Sequence, residues 1–145
     1  MEPNNSKNYL TKIFKSNPNL FQFSLIAYQS HHVAKKLFTK TKGIQRHIRL
    51  GQIREDIAQT EPVLRNTNVL SFDTGSIKYS EAPGNSSKLP NGLRSEEACQ
   101  LARYAGMSEN LKTFGLFDIN IEKDQTVPTT MLFAQIIWYF LDGCL

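Results

Sequence analysis

The chain has 145 residues, of which 40% are hydrophobic, 21% charged and 10% aromatic. This length accommodates one domain with a hydrophobic core, and the composition excludes collagen-like, mucin-like and wholly disordered proteins. The net charge of +4 is uneven, because residues 1–50 carry nine Lys or Arg against one acidic residue, whereas residues 51–145 carry eight against twelve. A basic first third indicates either a footprint for nucleic acid or a membrane surface, or a segment whose neutralising neighbours lie elsewhere.

Three elements are predicted in the first fifty residues. Residues 20–28, LFQFSLIAY, are rich in aromatic and aliphatic side chains, as is typical of a buried strand. Residues 31–42 have the apolar spacing of an amphipathic helix, and Gly43 is suited to end it. Residues 44–50 predict a short strand.

The middle of the chain predicts a helix, a strand and a long loop. Residues 56–65 predict the helix, and Pro62 places its start near Thr60, because proline is tolerated only close to a helix start. Residues 68–73 form a short apolar strand that ends in the carboxylate of Asp73. The Gly-, Pro-, Ser- and Asn-rich residues 74–93 follow, and so long a loop is usually functional or mobile.

Two helices flank a strand in the last third. Residues 95–105 form the clearest helix, with Ser95 as its candidate N-cap and Gly106 suited to close it. Cys99 lies beside its apolar face and is expected to be a small core residue. Residues 113–118, TFGLFD, predict a strand. Residues 126–141 predict a helix that is apolar nearly all round and is therefore expected to be buried on several sides.

Alternation of strands and helices in the second half indicates parallel β-α-β units, and no linker divides the chain. We therefore expect a single α/β domain over residues 1–145. In such sheets, ligands bind beyond the carboxyl ends of the strands, where Asp73 and its loop are placed. No targeting segment is recognisable, and the most apolar stretch is about half the length of a membrane span. The two cysteines make no disulfide framework. A cytoplasmic location is therefore expected.

Residue types and spacing alone do not identify an active site. Asp73 is as readily a turn former as a ligand, and Glu96 and Glu97 suit the first turn of a helix. His31 and His32 are adjacent and point in different directions, so no histidine pair has the i, i+4 spacing of a helical metal site. No phosphate-binding glycine loop and no specific Ser–His–Asp or Cys–His arrangement is recognisable.

Several sequence words lie close together between residues 61 and 143: SFD at 71–73, APG at 82–84, NGL at 91–93 and EEA at 96–98. Together they resemble the last motif block of the ureohydrolase superfamily, which contains arginases, agmatinases and formimidoylglutamases. The words EP-x-LR, PNG, EEAC-x-x-ARYAGMS and IWYF-x-DG are most similar to the formimidoylglutamase-like branch of Bacteroidetes-type bacteria. NYL-x-KI and SLI-x-YQS extend the resemblance back to about residue 8, and residues 1–8 are expected to be disordered.

The resemblance implies a three-layer α/β/α, arginase-like fold around a mostly parallel sheet, present here in part. It also implies two manganese ions at the strand ends and a bridging hydroxide that attacks the carbon of a guanidinium or amidine group. By resemblance Asp73 is a metal ligand and Glu97 is the acid that pairs with that substrate group. The second aspartate of the family signature is replaced by Gly75, which has no side chain to coordinate a metal.

The remaining metal ligands of the family come from a GG-x-H word and a DAH-x-D word, and neither occurs in this chain. Each divalent ion needs several ligands. The chain is therefore expected to be the carboxyl-terminal part of a metal-dependent hydrolase acting on a guanidino or formimino amino acid, and to be inactive alone.

Two alternatives stay open. One is a pseudoenzyme half with a scaffold role, which Gly75 would suit. The other is an interaction module that binds an acidic partner such as nucleic acid through the basic residues 1–50, although core packing explains the aromatic residues there better. A sheet cut through its middle would leave an unpaired edge or apolar face near residues 20–28. A homo-oligomer or an amino-terminal partner half is therefore expected.

Overall fold

The computed structural model describes residues 22–33, 45–124 and 127–145, together with positions 12, 13, 16 and 20. The prediction of disorder for residues 1–8 lies outside this part of the chain. The same holds for most of the helix predicted over residues 31–42. Its first residues form a turn, in which the backbone N–H of His32 donates to the carbonyl of Gln29 at 2.9 Å.

The first pair of strands is parallel. Strand β1, Phe23–Tyr28, pairs with β2, Gln45–Arg49, which confirms both predicted strands. Helix α1, Leu50–Glu55, follows β2 directly and was not expected from the sequence. Only Leu50 and Ile53 are buried in it, and one turn with two apolar residues is too short to show a helical period.

The helix predicted over residues 56–65 is divided into two pieces. A 3-10 helix spans Ile57–Thr60, and α2 spans Glu61–Arg65 with Pro62 in its first turn, as the proline indicates. The carboxylate of Asp56 accepts a hydrogen bond from the N–H of Ala58 at 3.0 Å and caps the 3-10 segment.

The second pair of strands is also parallel. Strand β3, Val69–Asp73, pairs with β4, Thr113–Phe117, in a register that places Asp73 opposite Phe117. Both strands were predicted. Helix α3, Ser95–Gly106, lies between them in the chain, so β3, α3 and β4 form the expected β-α-β unit.

The long loop between β3 and α3 is fixed at its centre by a buried amide. Asn85 is fully buried, and its Nδ2 donates to the carbonyls of Thr74 and Ile77 at 3.3 and 3.1 Å. Its Oδ1 accepts from the backbone N–H of Lys88 at 3.1 Å. Ile77 also forms a parallel bridge with Leu93, so the beginning and the end of the loop lie side by side.

Helix α3 matches its prediction except at the cap. The N-cap is Arg94, and Ser95 is the first helical residue, so the proposed capping by Ser95 is wrong. Both the backbone N–H and the hydroxyl of Ser95 donate to Glu81, which therefore satisfies the helix start from the preceding loop. The predicted apolar face and Cys99 are buried, as expected.

The last helix, α4, spans Pro128–Gly143, and its predicted burial on several sides is wrong. One stripe packs against α3, while Met131, Trp138 and Leu141 are 62%, 61% and 55% exposed. A helix that is apolar all round can be buried on every side, but no other element in the described ranges covers its second face. No helix there is long and apolar enough to cross a membrane.

Candidate active site at the ends of strands β3 and β4

Two carboxylates emerge at the same edge of the second sheet. Asp73 ends β3 and Asp118 follows β4, and because these strands are parallel neighbours, their carboxyl ends lie side by side. A Cβ placed on Gly75 would lie 2.9 Å from Asp73 Oδ1 and 3.2 Å from Asp118 Oδ2. Both side chains therefore border the same small space. We call Asp73 and Asp118 the carboxylate pair.

Local hydrogen bonds hold the carboxylate pair in place. The N–H of Gly75 donates to Asp73 Oδ1 at 2.8 Å, and the N–H of Ser86 donates to Asp118 Oδ2 at 3.0 Å. The hydroxyl of Thr74 lies within hydrogen-bonding distance of the carbonyl oxygens of Phe117 and Asp118, at 3.0 and 2.7 Å. Thr74 is fully buried, so it fastens the end of β3 to the end of β4.

The electrostatics of the pair favour a cation. Burial raises the pKa of Asp73, the N–H of Gly75 opposes that rise, and the negative charge of Asp118 adds to it. A positive group between the two carboxylates would relieve both the desolvation and the repulsion. Raised carboxylate pKa values of this kind are common at functional sites.

The space beside Gly75 is crowded. A Cβ on Gly75 would overlap Ser87 Oγ, so the serine hydroxyl occupies the space into which a side chain at this position would project. Any side chain at position 75 would therefore require the side chain of Ser87 to move.

Glu97 lies in the first turn of α3, where its Oε2 accepts the N–H of Arg94 at 2.8 Å. This contact gives the side chain a structural role at the helix start. No hydrogen bond or ion pair joins Glu97 to the carboxylate pair within the part of the chain described. Its assignment as a substrate-binding acid stays a prediction.

Asp118 was missed by sequence reasoning, although a signal for it exists. The strand TFGLFD ends in a carboxylate just as VLSFD does. If the two strands are taken as parallel neighbours, both carboxylates must meet at one edge. The pairing of β3 with β4, rather than either sequence alone, makes Asp118 a candidate.

The described residues do not by themselves fit a pair of manganese ions. Among them, no group of three or more His, Cys, Asp or Glu side chains is placed to hold a metal ion. Two carboxylates and a serine hydroxyl fall short of two coordination shells, since each ion takes several ligands.

The sequence profile of the Arginase family matches residues 13–142. The chain belongs to the Arginase family. This membership agrees with the ureohydrolase resemblance of the sequence and with the parallel β-α-β architecture. No curated protein sequence matches the chain.

Solved structures show the same arginase-like fold. Formiminoglutamase from Trypanosoma cruzi with Mn²⁺ at pH 6.0 superposes with a TM-score of 0.80 at 20% identity, covering 94% of this chain and 49% of that one. Arginase from Bacillus cereus gives 0.68 at 16% identity, with 81% and 43% covered. The agmatine ureohydrolase of Thermoplasma volcanium gives 0.66 at 19%, with 83% and 41% covered. The chain thus spans about half the length of these relatives.

Proposed function

We propose that this chain is the carboxyl-terminal portion of a formimidoylglutamase- or arginase-like hydrolase of C–N bonds in linear amidines or guanidines. The observation that carries the proposal is the carboxylate pair at the shared edge of β3 and β4. Membership of the Arginase family supports the reaction class. The T. cruzi relative, described with Mn²⁺, is named a formiminoglutamase, which favours a formimino substrate.

In this proposal the carboxylate pair contributes negative charge to a cationic site. A planar amidinium or guanidinium group can donate two parallel hydrogen bonds to one carboxylate, an arrangement that fixes both position and orientation. Asp73 or Asp118 is suited to that task, and Glu97 would add a third carboxylate if the substrate reaches α3. Asp73 is alternatively a metal ligand, the role that its place in the family motif implies.

We expect this chain to be inactive by itself. The described carboxylates do not make up a binuclear metal site, and the GG-x-H and DAH-x-D words are absent from the sequence. A segment that carries those words, an amino-terminal half, would have to supply the other ligands. A cytoplasmic location is part of the proposal, and the free thiols of Cys99 and Cys144 suit a reducing compartment.

Complementation tests this function. The chain is expressed alone and together with an amino-terminal half that contains both histidine words. Manganese content is then measured, along with hydrolysis of formiminoglutamate, agmatine and arginine. We expect neither bound manganese nor hydrolysis for the chain alone, and both for the complemented protein. Asp73→Asn and Asp118→Asn should each abolish hydrolysis, whereas Glu109→Gln, a change at an exposed carboxylate, should not.

A second candidate function is a pseudoenzyme half with a scaffold role. The overlap between Ser87 and any side chain at position 75 favours it, because an aspartate at this position would require the side chain of Ser87 to move. A well-folded complemented protein that binds no manganese and hydrolyses none of the three substrates would support the pseudoenzyme and contradict the hydrolase.

A further inference from the structure

An open surface cleft lies at the carboxyl ends of the other two strands, β1 and β2. Its volume is about 420 Å³, which lies in the range of small-molecule sites. The side chains that matter for its chemistry are Tyr28 and Gln29 from β1 and the turn after it, Arg49 and Arg54 from β2 and α1, and Asn91 from the long loop. Because these elements are far apart in sequence, the cleft exists only in the folded chain.

Two guanidinium groups in this cleft are held by neutral partners. Arg49 Nε donates to the hydroxyl of Tyr28 at 3.1 Å. Arg54 Nη2 donates to Asn91 Oδ1 at 3.0 Å and to the carbonyl of Gly92 at 2.8 Å. Each guanidinium has five N–H donors, so these contacts orient the two groups and leave other donors available.

Neither guanidinium is neutralised by a carboxylate. Within the described ranges, no Asp or Glu oxygen lies within 4.0 Å of Arg49 or Arg54. Glu55 lines the cleft but forms no ion pair with them. Arg65 and Arg103 elsewhere on the surface are paired, with Glu61 and Asp142.

The cleft is also braced across the fold. Gln29 Nε2 donates to the carbonyl of Asn91 at 3.0 Å, and Asn91 Nδ2 donates back to Gln29 Oε1 at 3.2 Å. This reciprocal pair joins the end of β1 to the long loop, and Arg54 joins the same loop to α1. Two contacts with the long loop thus orient Arg54, and one contact with Tyr28 orients Arg49, in the absence of any ligand.

A β-bulge lies directly before Tyr28, beside its contact with Arg49. In the β1–β2 ladder Ile26 lies opposite Ile48, and Tyr28 lies opposite Arg49, so Ala27 is the extra residue. Ala27 adopts a left-handed conformation with φ of 64°, which is strained for a residue with a side chain. Bulges of this kind re-aim a side chain at the end of a strand and are frequent beside functional sites.

We infer that Arg49 and Arg54 form a binding site for the oxyanion of a small molecule, a carboxylate or a phosphate group. The planar guanidinium fork matches two oxygens of either group and binds them through parallel, charge-assisted hydrogen bonds. This site attracts anions, whereas the carboxylate pair attracts cations, so the two are chemically distinct. The inference does not depend on the hydrolase function.

Calorimetric titration of the full chain tests this site, with glutarate in one arm and inorganic phosphate in the other. We expect saturable binding of at least one probe. Binding of glutarate alone identifies a carboxylate ligand, binding of phosphate alone a phosphate ligand, and binding of both the shared oxyanion chemistry. Arg49→Gln and Arg54→Gln should each weaken binding by about tenfold or more. Arg49→Lys, which keeps the charge but loses the fork, should also bind more weakly.

Arg46→Gln is the matched control, because it removes the same charge from an exposed position on β2 outside the cleft. It should bind as the unmodified chain does. Arg54→Gln also breaks contacts to the long loop, so its fold is checked by circular dichroism, and Arg49→Gln carries the test if it unfolds. Absence of saturable binding of both probes, unchanged binding in Arg49→Gln, or an equal loss in Arg46→Gln would each overturn the inference.

Discussion

The fold leaves no free space for a side chain at position 75, where the chain has a glycine. The missing side chain would overlap the hydroxyl of Ser87 and lie 2.9 Å from Asp73 Oδ1. An aspartate there would bring a further negative charge beside Asp73, whose pKa burial already raises. Gly75→Asp would therefore add a negative charge beside Asp73 and would also require the side chain of Ser87 to move.

Substitution of Gly75 should show this crowding directly. Gly75→Ala is expected to lower the free energy of unfolding by about 1–3 kcal/mol, the usual cost of overpacking. Ser87→Ala in the same chain should recover part of the loss, because it removes the overlapping hydroxyl. Urea unfolding followed by circular dichroism measures both variants and their coupling. Equal losses with and without Ser87→Ala would show that the hydroxyl does not set the cost.

The hydrogen bonds of Asp124 predict how the stability of the fold depends on pH. Its carboxylate accepts the N–H of Thr129 at 3.1 Å, and the N–H and hydroxyl of Thr130, both at 2.8 Å. Burial alone would raise the pKa of Asp124, but these hydrogen bonds outweigh it and lower the pKa below its ordinary value. Its stabilising effect is therefore full above the ordinary aspartate pKa and is lost as the pH falls through the lowered one.

Asp124→Asn should accordingly lower the Tm at pH 7, and the difference from the unmodified chain should narrow as the pH falls below about 4. Thermal unfolding across a pH series measures it, and Glu109→Gln serves as an exposed control. A difference that stays constant down to the acid end would mean that ionisation of Asp124 contributes nothing.

At the scale of elements, α3 and α4 approach each other until their backbones touch. A Cβ on Gly106 would overlap the carbonyl oxygen of Phe140, and a Cβ on Gly143 would overlap that of Arg103. Because the obstacles are backbone atoms, neither can swing aside. These two glycines set the distance between the helices, and the ion pair of Arg103 with Asp142 at 2.9 Å lies beside them.

Gly106→Ala and Gly143→Ala should each lower the free energy of unfolding by at least about 1–3 kcal/mol, because the helices must separate. Gly51→Ala is the control. Gly51 lies in α1 with nothing within 4 Å of its missing Cβ, so alanine should stabilise the chain by about 0.5–1 kcal/mol. Denaturant unfolding measures all three, and a stabilised Gly106→Ala would contradict the close crossing.

The sequence predicted the strands well, whereas both candidate sites depend on which parts of the chain the fold brings together. Strands β1, β3 and β4 are apolar runs with clear ends, so their positions could be read locally. The motif proposes Asp73 as a site residue, which stays a prediction, whereas Asp118 becomes a candidate only when β4 is known to pair with β3. The arginine cleft depends on contacts between residues that are distant in sequence, such as Arg54 and Asn91, which no local pattern reveals. The prediction that α4 is buried on several sides was wrong, because an apolar pattern shows which surface a helix can bury but not whether another element covers it.

At the scale of the whole molecule, one face of α4 is apolar, and none of the described elements covers it. Met131, Ile137, Trp138 and Leu141 are all exposed there. Beside them, Leu111, Phe114 and Leu116 line an apolar groove of about 460 Å³ with Phe140. Contiguous apolar surface of this kind usually marks a protein contact.

We therefore expect the isolated chain to self-associate as its concentration rises. Trp138 is the chain's single tryptophan and is 61% exposed, so its emission should shift to shorter wavelength as the complex forms. Ile137→Lys should favour the monomer, whereas Val69→Lys, at a 65% exposed site at the start of β3, should not. Sedimentation velocity measures the populations, and a chain that stays monomeric at high concentration would contradict the expectation.

The bulge at Ala27 also bears on how this molecule could change over evolutionary time. Strand β1 uses six residues where β2 uses five, and the four pairs from Phe23 to Ile26 do not depend on the extra one. Loss of a single codon at Ala27 would leave those pairs intact and would keep the tyrosine opposite Arg49, now in a regular ladder without the left-handed residue between Ile26 and Tyr28. A one-residue insertion or deletion can therefore create or remove the strained residue of β1 while the strand pairing on which both candidate sites rest is kept.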